Sequence, residues 1–323
     1  MIGLLLLTLR ELRARKVVLG LFVVSTAVWL TLALALQLDV VDGSLAGFSL
    51  FGLDEEVSEP APVVDKLTGE VVVDSTTGEP VMVSEGPPFG SNPLESLVFG
   101  AEAFVAGAAY WVGILLCLFA TGGLVASLVE PGQADLLVSK PLSRSAVLGA
   151  RLAGVGVVAL ALLTYLLGAV WLVMSVKTGI WNPRFLLAIG AVFAMFAVLY
   201  GVVTLVSVWS GSGALALIVT LGLVFATLVL AIPNLFLSID PTWRPLVEGL
   251  YTVLPRFPSV GARLVPFLAT GVDFAALAAE DTGGGVQPAP ASLVAALTPL
   301  LSSVAFGAAC YAGAFFLFNR RDY

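Results

Sequence analysis

Long apolar runs without a single charge, separated by short polar connections, set the pattern of this chain. Val17 to Gln37, Ala103 to Val129 and Leu152 to Val176 carry no charged residue, and Phe185 to Ile239 is an uncharged stretch long enough for two passes. A spanning helix needs about 20 apolar residues, because the hydrocarbon core is about 30 Å thick and each helical residue rises about 1.5 Å. The pattern therefore predicts an all-α polytopic membrane protein with six transmembrane helices. They fall at 17–37, 103–129, 152–176, 185–208, 214–232 and 291–318, with Trp209 to Gly213 as the turn between the fourth and fifth.

Composition agrees with that pattern and narrows the chemistry. Of 323 residues, 59% are hydrophobic and 11% charged, and the mean hydropathy is +1.03; a soluble fold of this length could not bury so much apolar surface. Histidine is absent and the two cysteines, Cys117 and Cys310, lie far apart inside apolar runs. No Cys/His metal site, redox pair or histidine catalysis is therefore available. Ahead of the first span, Ile2 to Leu9 is apolar, but Arg10, Arg13, Arg15 and Lys16 follow it, the reverse of the order in a signal peptide. Residues 1–16 read instead as an amphipathic helix lying in the cytoplasmic interface.

Charge then sets orientation. With the N-terminus inside, nine of the fifteen lysines and arginines but only four of the twenty-two acids face the cytoplasm, which is the basic bias of inner segments. Both termini, including the tail 319–323, are then cytoplasmic, in a multi-pass protein of the cell (inner or plasma) membrane. Trp171, Trp181 and Trp209 fall at span ends and read as interfacial anchors.

Two outer segments are large. The insert 38–102 holds thirteen acids and one base, Lys66, and a near-repeat in which Asp65 to Val71 is echoed by Asp74 to Val81. Thr-Gly-Glu turns flanked by Val71 to Val73 and by Val81 and Val83 suggest a small β-containing insert. The segment 233–290 is apolar enough for short or re-entrant helices, at Pro245 to Pro255 and Val260 to Ala279.

Inside the spans the pattern places no ionisable residue at a centre, which argues against a proton-coupled carrier, a redox subunit or an intramembrane protease. Ser25, Ser127, Ser175 and Ser207 have no basic activator and read as packing or backbone-bonding residues. No GxxxxGK[ST] sequence occurs, so the chain has no P-loop of its own. The most informative stretch is the inner loop 130–151, EPGQADLLVSKPLSRSAVLGAR. Glu130 and Pro131 suit a helix start, Pro141 ends that helix, and Ser143 can cap the helix of the third span. A short helix across the cytoplasmic face, joined to two spans, is a shape able to carry a push from a soluble partner. It also fits a plain connecting elbow.

Glu130, Gly132, the pair Leu136 and Leu137, then Pro141, Ser143 and Arg144, with Arg151 where a lysine is common, resemble the ABC-2 type transporter permeases. Tyr251 to Pro255 is similar to the family's aromatic and Leu-Pro motif, and Phe318 to Tyr323 to its closing aromatic-x-Arg-Arg-Asp. The insert after the first span is similar to the subgroup associated with multicopper enzyme maturation. The resemblance covers essentially the whole chain and implies a permease paired with a second copy or a related permease. It also implies a separate P-loop ABC ATPase subunit seated on a coupling helix built from Glu130, Pro131, Gly132, Gln133, Asp135, Leu136, Leu137, Pro141, Ser143 and Arg144. Arg320 and Arg321 would add contacts to the ATPase or to lipid headgroups. ATP and magnesium would be bound by the partner, leaving this chain with no catalytic, cofactor or metal residues and no nucleic-acid partner. The cargo would be a lipid-linked, peptide or hydrophobic compound. The alternative is a scaffold or mechanotransmitter that passes ATPase strokes to an extracytoplasmic protein partner through the acidic insert.

Overall fold

The computed structural model describes residues 16–41, 44–50, 53–56, 61–62, 82–83, 93–128, 143–231, 249–251, 253–268 and 293–320. Helix α1 spans Lys16–Ala35. Three strands follow it directly, β1 Leu36–Val41, β2 Ser44–Leu50 and β3 Leu53–Glu56, forming an antiparallel sheet in the order β1-β2-β3. Leu36 pairs with Leu50, Leu38 with Phe48 and Leu50 with Leu53, and the β1–β2 register shifts between Asp39 and Val40. A smaller ladder joins β4 Ala61–Pro62 to β5 Met82–Val83. Helix α1 thus ends two residues earlier than the charge-free run Val17 to Gln37. Leu36, Leu38 and Val40 alternate with Gln37 and Asp39, a period of two that a count of apolar residues does not register.

A long rod comes next, made of α2 Pro93–Ala108, a π-helical turn Ala109–Gly113, α3 Ile114–Thr121 and α4 Gly123–Ala126. Helix α5 spans Arg144–Thr178. A 3-10 turn at Pro183–Leu186 leads into α6 Leu187–Ser210, followed by α7 Gly213–Leu230, α8 Phe257–Leu268 and α9 Leu293–Arg320. Five of these stretches are long and apolar enough to cross a membrane: Leu97–Ala126, Arg144–Thr178, Pro183–Ser210, Gly213–Leu230 and Pro299–Arg320. Helix α1 adds a shorter apolar stretch, Val18–Leu34.

The turn between α6 and α7 takes two residues. Gly211 adopts φ 72°, a left-handed value costly for residues with a Cβ, and the Ser212 hydroxyl caps α7 by accepting from the Leu215 amide at 3.3 Å. Helix α6 is the centre of the bundle, since its span is 56% buried against 22% for α5, α7 and α9. Its tightest neighbour is α9. A Cβ at Gly307 would lie 2.9 Å from the Val198 Cα, and one at Gly201 would lie 3.1 Å from the Gly307 carbonyl oxygen, so the backbones meet where only hydrogen atoms fit. Apolar side chains gain little by leaving lipid, so close backbone packing of this kind is the means by which membrane helices associate. On the other flank α1 is tied to α5 through Tyr165. The Tyr165 hydroxyl lies 3.0 Å from Thr26 Oγ1 and accepts from Trp29 Nε1 at 3.1 Å, while its ring stacks on Phe22 at 4.8 Å.

Candidate functional site

The antiparallel course of the helices gathers Lys16, the end of α4, the start of α5, the α6–α7 turn and Arg320 at one end of the bundle, and the β-strands with the start of α2 at the other. The charged side chains described at the first, basic end are those of Arg144, Arg151 and Arg320, whereas Lys177, Arg184 and Glu102 lie toward the second. Helix α5 begins there with Ser143 in an extended conformation, its hydroxyl accepting from the Ala146 amide at 3.3 Å. Arg144 is exposed at the first turn. Two turns further on, Arg151 is 94% buried, with a relative exposure of 6%. Its Nε donates to the Leu124 carbonyl at 3.2 Å and its Nη2 to Ser127 Oγ at 3.1 Å, while that serine hydroxyl donates to the same carbonyl at 2.9 Å. The last carbonyls of a helix have no intrahelical donor and carry the negative end of its dipole. Arg151 therefore closes the end of α4 from inside α5, and both anchor points of the intervening connection are fixed to one another.

The opposite end carries a second polar tie. Glu102 lies within the Leu97–Ala126 span and is 1% exposed. Its Oε2 accepts from Asn182 Nδ2 at 2.8 Å, and the Asn182 carbonyl accepts from Trp171 Nε1 at 2.9 Å. Trp171 packs edge to face with Trp181 at 5.2 Å. Glu102 Oε1 is buried and meets no donor among the described residues. Counting charge-free residues ends the second span at Ala103 and leaves Glu102 in the insert. The helix instead starts ten residues earlier, because Val98 and Ala106 flank Glu102 in the packed interior and Asn182 supplies a donor. Arg151 is displaced in the same sense, from the loop into the body of a helix. Spans defined by absence of charge come out short wherever a buried charge is held by a partner.

Two turns further along the same rod, the π turn aims Tyr110 and Trp111 at α8. The Tyr110 hydroxyl donates to the Phe257 carbonyl at 2.6 Å, the two rings stack at 4.7 Å, and Trp111 meets Phe257 edge on at 5.0 Å. The stretch Tyr251 to Pro255 leads into this contact. Tyr251 Oη and Ser259 Oγ are hydrogen-bonded, the Arg256 guanidinium lies 5.4 Å above the Tyr251 ring, and the Arg256 amide donates to Ser303 Oγ at 2.9 Å. Arg256 and Phe257 thus tie the start of α8 to both the α2–α4 rod and α9. A π turn adds a residue to one helical turn and rotates the side chains that follow, a change in phase without any sequence signature.

Of the residues expected at an ATPase-facing surface, Ser143 and Arg144 lie at the start of α5, and Arg320 ends α9 with its guanidinium 4.2 Å above the Phe316 ring. Glu130, Pro131, Gly132, Gln133, Asp135, Leu136, Leu137, Pro141 and Arg321 lie outside the described residues, as do the strand positions Val71 to Val73 and Val81, residues 1–15 and Pro245. Cys117 and Cys310 are both free thiols, and among the described residues no three Asp, Glu, Cys or His side chains come together.

Five membrane-length apolar helices, α6 at their centre and four packed around it, define a helical, multi-pass membrane protein. Compared with known proteins, the chain matches no family model and no curated protein is similar to it.

Proposed function

We propose that the chain is the membrane-spanning permease subunit of an ABC-2 type exporter, driven by a separate P-loop ATPase. The observation that carries this reading is the Arg151 clamp. A coupling element works only if force applied to it reaches the spans, and residues 129–142 are bounded by Leu124 and Ser127 on one side and by the capped start of α5 on the other, with Arg151 joining the two. The cationic character of that end supports a cytoplasmic placement. On this reading α1 is the sixth span, preceded by the interfacial helix, and both termini are cytoplasmic. The partner ATPase binds ATP and magnesium, a second copy or a relative completes the pore, and the cargo is a lipid-linked, peptide or hydrophobic compound. The residues Glu130 to Arg144 with Arg320 and Arg321 form the ATPase-facing surface.

One observation favours a second reading, a mechanotransmitter acting on an extracytoplasmic protein. Helix α1 passes into β1 without an intervening residue, so movement of α1 is delivered directly to the sheet of the insert.

The test uses the tagged full chain purified from its native membrane with whatever ATPase accompanies it. Leu136→Asp with Leu137→Asp is expected to lower the co-purified ATPase at least tenfold while leaving the chain's own extraction profile unchanged. Recovery of the same ATPase at the same yield with the double variant, or of none with the unaltered chain, overturns the permease reading.

A further inference from the structure

A groove of about 380 Å³ opens between α5, α6 and α9, walled by Leu152, Gly156 and Leu160 on one side and by Phe193, Phe196 and Ala197 on the other, with Tyr200 and Tyr311 at its end. That volume is in the range of sites for small molecules, about 300–1,000 Å³. Its lining is almost wholly apolar. The Tyr311 hydroxyl is spent on the Ala197 carbonyl, to which it donates at 2.8 Å. The rim is open to the outside of the bundle, since Val157 is 48% and Leu160 40% exposed.

Depth and charge name the occupant. Leu152 to Leu160 lie eight to sixteen residues from Arg144 along α5, which at about 1.5 Å per residue is about 12 to 24 Å into the bundle. That range falls inside a hydrocarbon core about 30 Å thick when Arg144 sits at the interface. Two of the three helices that wall the groove end in cations at the same face, Arg144 opening α5 and Arg320 closing α9, both exposed, while α6 ends there in Ser210. A basic membrane surface over an apolar cleft between spans complements an anionic headgroup with an acyl chain below it. The geometry points to a binding site for one anionic phospholipid, its headgroup at the basic end of the bundle and one acyl chain in the α5–α6–α9 groove. The occupant is a structural lipid of the bilayer, not cargo. The inference requires only that the bundle span a membrane, and it stands or falls separately from the ATPase reading.

The full chain, purified in detergent without any ATPase and titrated with phosphatidylglycerol or with phosphatidylcholine of equal chain length, is examined by native mass spectrometry. A first, saturable phosphatidylglycerol adduct is expected, at least tenfold preferred over phosphatidylcholine. Ala153→Trp, which places an indole in the groove from its exposed wall, is expected to remove that adduct, whereas Leu172→Trp, exposed on the same helix outside the groove, keeps it. Arg144→Gln with Arg320→Gln, both at exposed helix ends, should bring phosphatidylglycerol down to the phosphatidylcholine level. Equal binding of the two lipids by the unaltered chain, an undiminished adduct in Ala153→Trp, an undiminished preference in the double arginine variant, or a lipid-free dimer each overturns the site. Should Ala153→Trp fail to fold, the arginine pair decides.

Discussion

Arg151 on α5 donates to the carbonyl of Leu124 at the end of α4, 3.2 Å away, and the two residues are 27 positions apart in the chain. The bond satisfies an acceptor that a helix end leaves open, and it does so with a charged donor that is itself buried. Arg151→Ala leaves that carbonyl with the Ser127 hydroxyl alone, and unmaking such a buried hydrogen bond costs about 1–3 kcal/mol. Its unfolding temperature in detergent should therefore fall. Arg151→Lys keeps the charge but presents no planar fork, so it cannot donate from two nitrogens held at fixed angles to Leu124 and Ser127. Its unfolding temperature should lie between those of the alanine variant and the unaltered chain. Equal stability of all three would mean that the clamp holds nothing.

At the other end, Glu102 and Asn182 should behave as a coupled pair. Asn182→Leu removes the only described donor to the carboxyl, whereas the same change in a Glu102→Leu background removes nothing further. A double-mutant cycle on thermal stability is expected to return about 0.5–2 kcal/mol, the range found for hydrogen bonds inside membrane bundles. Additive single effects would show that the 2.8 Å contact contributes no net energy.

The aromatic contact between the π turn and α8 separates into a ring part and a hydroxyl part. Tyr110→Phe keeps the stacking on Phe257 and removes the 2.6 Å bond to its carbonyl. Hydrogen exchange over residues 253–262 should then speed up severalfold, as expected for loss of about 1 kcal/mol of local stability, with α6 unaffected. Tyr110→Ala should release the segment more completely. Unchanged exchange in both would place the anchor of α8 elsewhere, at Ser303 and the Arg256 amide.

How much of this was legible in the chain differs from element to element. The apolar runs locate the long helices, because a helix in lipid must satisfy its backbone polarity internally and present apolar side chains to the bilayer, and both demands are written locally. The α6–α7 reversal is equally local, resting on Gly211 and the Ser212 cap. The start of strand β1, Leu36 and Gln37, was hidden at the end of an apolar run, since the count of apolar residues is the same for either period.

What sequence alone determined is therefore the membrane-length helices and the turn between α6 and α7. Tertiary structure decided the sites. Glu102 and Arg151 are ordinary loop charges until Asn182 and Leu124, from distant parts of the chain, arrive as partners that make their burial tolerable. The π turn that aims Tyr110 at Phe257 and the lipid-sized cleft beneath Arg144 arise from the phase and spacing of packed helices. Those are properties of pairs of elements, and no single stretch of residues encodes them.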